Sequence, residues 1–166
     1  MGEVSPINQL QAEFADHGFQ FFTVYVREPH PGEHYGHHET MEQKLQYARD
    51  CRAQDRLATP LLVDDLEGSV HRLYGTFPNM IYVIDRDARI AYKAMWTDHA
   101  EIRAVLENLT EADRLSAQGL RLKPSYSEKI NYIPADYAGG VRDRVFHRAG
   151  PRASADHRAV FAEPES

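Results

Sequence analysis

Two short runs rich in aromatic and β-branched residues, 19–26 (FQFFTVYV) and 60–63 (PLLV), are separated by a segment that reads as a helix. That order limits the fold more than any other feature of the chain. Strands this short and apolar read as buried on both faces, and a strand, a helix and a second strand in one sheet imply a right-handed parallel crossover. The helix between them opens with a capping box, Thr40 with Gln43, and places Met41, Leu45 and Ala48 on one face, which is expected to turn inward. The fold class is therefore α/β.

The flanking segments extend this pattern. Ser5 followed by Pro6 reads as a helix start, with Ile7, Leu10 and Phe14 at helical spacing and Gly18 as the stop. Residues 68–75 read as a short helix. Residues 80–85 and 89–94 read as an antiparallel hairpin around Asp85-Arg86-Asp87-Ala88, with Ala88 standing where glycine would ease a left-handed turn. Asp98 and Glu101 form a second capping box, and Ile102, Val105, Leu106 and Leu109 make the apolar stripe of a closing helix. The expected order is α-β-α-β-(α)-β-β-α over a domain of residues 1–117. A polar bridge at 110–124 leads into an extension, 118–166. Tyr126, Tyr132, Tyr137, Val141, Val145 and Phe146 make that extension either a wrapping arm or a partly disordered end with a short helix near 140–148.

Charge and composition narrow the function. Residues 1–117 hold 11 basic and 19 acidic groups, a net −8, whereas residues 118–166 hold 8 and 6, a net +2. An acidic body repels a phosphate backbone, so nucleic acid is not an expected partner. No run reaches the roughly 18 apolar residues of a membrane span, and the first ten residues lack a secretory pattern, so no membrane partner is expected and the expected location is cytoplasmic. The single cysteine, Cys51, has no intramolecular disulfide partner and no Cys-x-x-Cys neighbour; it reads as packing at the edge of a helix face. His30, His34, His37 and His38, with Glu33 and Glu39, crowd one loop without a helical i, i+4 frame, so a solvated loop is expected there and no metal. Asp64-Asp65 and Asp85-x-Asp87 read as a strand-end cap and a turn. No cofactor motif, phosphate-cradling glycine loop or hydrolase elbow occurs.

Four stretches, VSPINQL, VYVREPHPGE, HHETMEQKL and FPNMIYVIDRDARIAY with Trp96 after it, resemble the redoxin branch of the thioredoxin-like proteins, and within it the iodothyronine deiodinase-like proteins. They span about residues 4–109. The resemblance implies a thioredoxin-like fold, a mixed sheet with flanking helices, and a thiol or selenol oxidoreductase acting on a small-molecule substrate with a thiol reductant, and it allows a homodimer. It assigns proton handling to Glu28, His30 and His38, and makes Pro78 the cis-proline, with Phe77 and Asn79 lining the substrate site.

One departure is large. Redoxins begin with a strand that ends at a catalytic Cys or selenocysteine just before the first helix, and here the first helix begins at Ser5. The first strand is thus missing, together with the nucleophile, and in the family it lies between the counterparts of residues 19–26 and 80–85. A selenocysteine codon read as a stop, with Met1 as the next start, would account for this; so would a misplaced start in a cysteine protein, or a true loss. In the last case the same cleft would serve a non-catalytic binding module.

Overall fold

A computed structural model of the chain describes residues 4–77, 79–128, 130 and 141–161. The elements in order are α1 (Val4–Glu13), a 3-10 turn (Ala15–His17), β1 (Thr23–Tyr25), α2 (Met41–Asp55), β2 (Leu61–Val63) and α3 (Ser69–Tyr74). They continue with β3 (Ile81–Ile84), β4 (Ile90–Ala94), α4 (His99–Ala117), α5 (Val141–Ala149) and α6 (Pro151–Phe161). The class is α/β.

The main core forms where α1 and α4 pack together over the β3–β4 hairpin. Leu10 and Phe14 meet Ile102 and Leu106 across Val83, with Ile7, Phe19, Phe21, Ile81, Tyr92, Val105 and Leu109 around them. The stripes read on both helices are the faces that pack. Asp98 caps α4 by accepting from the Ala100 and Glu101 N–H groups, and Gly18, at φ 80, closes the turn after α1. The first helix already includes Val4, so Ser5 is not the residue before it; Pro6 is tolerated in the first turn because its missing N–H would have had no intrahelical partner. At the other end, α4 runs on to Ala117, so residues 110–117 are helix rather than bridge.

β1 pairs with β2 in parallel, with Val24 opposite Leu62, and β3 pairs with β4 antiparallel. These remain two separate two-stranded sheets among the described residues. The expectation that 19–26 and 60–63 are buried on both faces is overturned. The regular strands are only three residues each, and one face stays open, with Phe22 56% and Leu62 50% exposed. Only the face carrying Tyr25 is covered, by α2.

The inward face of α2 also differs from expectation. Met41 and Leu45 are partly exposed, and the fully buried positions are Lys44, 2% exposed, and Ala48. Lys44 reaches across to β2, where its Nζ donates to the Asp65 carbonyl at 2.6 Å, so its aliphatic stem fills the interface that Leu45 was expected to fill. The capping box is present in altered form: Thr40 Oγ1 accepts from the Gln43 N–H, and Gln43 Oε1 accepts from the N–H of Glu39 instead of Thr40. Arg56 ends α2 in the left-handed region, at φ 54, and Asn8 of α1 clamps that turn by donating to the Arg56 carbonyl and accepting from the Ala58 N–H.

Asp64 and Asp85 act as backbone caps. The buried Asp64 carboxylate accepts from the N–H groups of Asp65, Val70 and His71 at 2.9 Å each and so fixes the start of α3. Asp85 Oδ1 accepts from the Asp87 and Arg89 N–H groups across the hairpin turn.

Ala88 in that turn sits at φ 60, where a Cβ is crowded by the carbonyl. Ala88→Gly is expected to stabilise the protein by about 1 kcal/mol, read as a higher urea midpoint with unchanged m-value. Leu10→Ala, which empties the centre of the core, is expected to cost about 2–5 kcal/mol in the same measurement.

Candidate functional site

The chain leaves the C-terminal end of β1 through Val26, Arg27 and Glu28, and there a carboxyl group enters the interior. Glu28 is 5% exposed. Tyr25, three residues earlier on the covered face of β1, donates its hydroxyl to Glu28 Oε2 at 3.4 Å, and the phenol oxygen of Tyr25 lies 3.1 Å from His38 Nε2. One hydroxyl hydrogen cannot serve both neighbours. With Tyr25 donating to Glu28, Nε2 of His38 must carry the hydrogen that the phenol oxygen accepts. The three side chains then form a directed proton path from imidazole through phenol to carboxyl.

Burial sets the protonation states. It raises the Glu28 carboxyl above its ordinary value, opposed by Arg148 and by hydrogen bonds from the His30 N–H and Tyr25. The Tyr25 phenol is pushed far up, first by burial and then by Glu28, and so stays protonated. His38 is held down by burial and then by Lys44 and His37, which keeps it neutral near pH 7.

The positive partner comes from α5. Arg148 places Nη2 3.9 Å from Glu28 and Nη1 3.4 Å from Asp55 of α2, with its guanidinium 5.6 Å from the centre of the Tyr35 ring. Cys51 lies in the same cluster and donates to Asp55 at 3.4 Å. Burial, with Asp55 beside it, pushes its thiol up to about 11, so it is a poor nucleophile at neutral pH.

The structure thus joins two of the three residues named for proton handling, Glu28 and His38. The third points elsewhere. His30 gives only its backbone N–H to Glu28; its ring packs edge-on against Phe146 of α5 at 5.1 Å and lies 6.4 Å from His157 of α6. The other loop histidines have separate surroundings: His34 Nδ1 bonds the Arg148 carbonyl, and His37 lines a cleft of about 420 Å³ with Pro29, His30, Arg152 and His157. Among the described residues no three His, Cys, Asp or Glu side chains are grouped to hold a metal ion.

Phe77 and Asn79 lie on the segment that returns toward β1. Arg27 Nη2 donates to the Thr76 carbonyl at 3.3 Å, Phe77 is half exposed, and Asn79 bridges to Trp96 and accepts from Thr97 Oγ1 through its carbonyl. Pro78, and with it the expected cis bond, lies outside the described residues. Tyr25, Asp55 and Arg148 were not legible as site residues. Tyr25 carried a faint signal, since it precedes Glu28 by three positions in a strand; Arg148 carried none.

No protein-family model matches the chain, and no solved structure matches it. No helix among the described residues is long and apolar enough to cross a membrane.

The lowered imidazoles of His30 and His38 make stability depend on pH with a definite sign. Both accept protons more readily when unfolded, so their contribution is complete above about pH 6.5 and is lost as pH falls through that value toward their lower folded values. Glu28 has the opposite sign at lower pH, because its raised folded value means that protonation relieves a cost of burial. Urea unfolding between pH 7 and 5.5 is expected to show stability falling with acid, with a shallower slope in His38→Gln.

Proposed function

We propose that the chain is the body of a thioredoxin-fold oxidoreductase of the redoxin, deiodinase-like type, in which His38, Tyr25 and Glu28 carry the proton that the reaction moves. The observation that carries this reading is the path from the half-buried imidazole through the phenol to the buried carboxyl at the C-terminal end of a parallel strand, the end of an α/β sheet where ligands gather. The separation of β1–β2 from β3–β4 supports it as well, because a redoxin sheet sets one strand between the counterparts of β1 and β3. Cys51 is too buried and too basic to be the nucleophile, which would then be a Cys or selenocysteine borne on that further strand.

In the peroxide form of the reaction, the thiolate or selenolate attacks one peroxide oxygen and the O–O bond breaks. The departing alkoxide takes from His38 Nδ1 the proton that this nitrogen accepted from the thiol or selenol, while the Nε2–H stays bonded to Tyr25, and the chalcogen is left as its hydroxyl acid. One thiol of the reductant displaces water from it, and a second releases the free chalcogen and a disulfide. Removal of halogen from an aromatic ring would make the same demand for a delivered proton. Phe77, Pro78 and Asn79 would line the substrate side of the cleft, His30 would hold Glu28 through its backbone, and a cytoplasmic setting would supply the thiol.

A second reading is favoured by the state of Cys51: with no reactive thiol in the described cleft, the protein would be a thioredoxin-like binding module. One experiment separates the two. A chain extended by the residues encoded upstream, with cysteine at any in-frame TGA codon, is assayed with hydrogen peroxide and dithiothreitol. The enzyme reading expects turnover that is lost when the upstream cysteine is replaced, and a fall in kcat/KM of about 10²-fold or more in Glu28→Gln and in His38→Gln. Absence of turnover in the extended chain would leave the binding module.

A further inference from the structure

The two C-terminal helices meet the body where the Glu28 loop is. Arg148 lies between Glu28 and Asp55; the Ala149 carbonyl accepts from the His34 N–H at 3.2 Å; Phe146 and His157 enclose the His30 ring. The Glu33 carboxylate caps α6 by accepting from the Arg152 N–H at 2.9 and 3.0 Å. At the seam, Gly32 faces the Ala149 carbonyl so closely that a Cβ on Gly32 would collide with it. Gly150, at φ 111, fits the Glu33 carboxylate in the same way on the other side.

We propose that α5 and α6 form a detachable cover over the buried Glu28 cluster, with Arg148 as the plug between Glu28 and Asp55 and the Gly32–Ala149 contact as the seam at which cover and body part. Three observations support detachment as a unit. The cover has its own small buried cluster, Phe146, Ala149 and Ala153, distinct from the core that holds α1, α4 and the hairpin. Apart from the His30 ring against Phe146 and the Gly32 backbone against Ala149 and Ala153, its grip on the body is polar: ion pairs, backbone hydrogen bonds and one cation over an aromatic ring. Segments held by few buried apolar contacts open at lower cost than the whole domain unfolds. The charges also match, since residues 118–166 carry +2 against −8 on residues 1–117. Closed, the cover hides Glu28, Cys51 and one side of Tyr25; open, it exposes them to solvent and to any ligand of the cleft.

The inference rests on reading the Glu28 cleft as the functional site, but its test measures access and not turnover, so either can fail without the other. Cys51, the sole thiol, reports the Arg148 cluster, and Trp96, the sole tryptophan, follows β4, bridges to Asn79 and reports the body. The rate of Cys51 modification by Ellman's reagent at pH 8 is measured on the full chain. Gly32→Ala wedges the seam without altering any charged group, and is expected to raise the rate by about 10-fold or more while the urea midpoint of Trp96 fluorescence holds. Arg148→Ala is expected to raise it as well. That substitution removes a cation that lowers the thiol's pKa, which alone would slow the reaction, so acceleration there reads access. Rates within about 2-fold of the parent in both variants, or acceleration matched by a fall in the Trp96 midpoint, would overturn the proposal.

Discussion

A carboxylate taken out of water must find donors or a counter-charge, and the arrangement around the cleft follows from how Glu28 finds them. Burial alone pushes its proton affinity up; a phenol, a backbone N–H and a guanidinium pull it back. Tyr25 and the His30 N–H are local to the strand end. Arg148 is not, and its arrival brings α5 and, through Gly150 and the Glu33 cap, α6 with it. The loop at 28–37 therefore has two tasks, to place a carboxyl inside and to receive a helix from the far end of the chain. Gly32 lets the two backbones touch.

The same economy explains α2. Its apolar positions Met41 and Leu45 suggested one inward face, yet the buried positions are Lys44 and Ala48, with Cys51 and Asp55 continuing toward the Arg148 cluster. A lysine can face inward here because the Asp65 carbonyl, two residues past β2, is placed to take its ammonium, with the Asp64, Asp65 and Glu67 charges nearby to offset the desolvation that lowers its proton affinity. Hydrophobic periodicity cannot anticipate that, because it counts side chains and not the backbone acceptors across the interface. Where no such acceptor intervenes, as in α1 and α4, the periodic stripe and the packed face coincide.

Legibility of the cleft divides along a similar line. The capping residues Thr40 and Asp98 and the turn at Asp85 could be read because each is set by neighbours within a few residues, and the parallel pairing because a helix lies between the two strands. Glu28 and His38 could be named only through a resemblance, and nothing in their spacing says that Tyr25 lies between them. His30 shows the limit most clearly. Its backbone points at Glu28 while its ring points at α5, so one residue belongs to both the cleft and its cover. Strand burial departs from expectation for a related reason: apolar composition predicts two covered faces, but coverage depends on what lies alongside. Among the described residues β1 pairs with β2 alone.

That open side separates the two ends of the molecule energetically. The α1–α4–hairpin end is held by a continuous apolar core, whose stability is largely independent of pH and salt. The cleft end is held by a carboxyl, a phenol, an imidazole, a guanidinium and a few hydrogen bonds, each sensitive to protonation and to the loss of any one partner. Phe22, Val24 and Leu62 face outward beside it, so little apolar burial there opposes movement of the loop. The proton relay proposed for His38, Tyr25 and Glu28, and the proposed parting of α5 from the body, both fall where the fold resists change least.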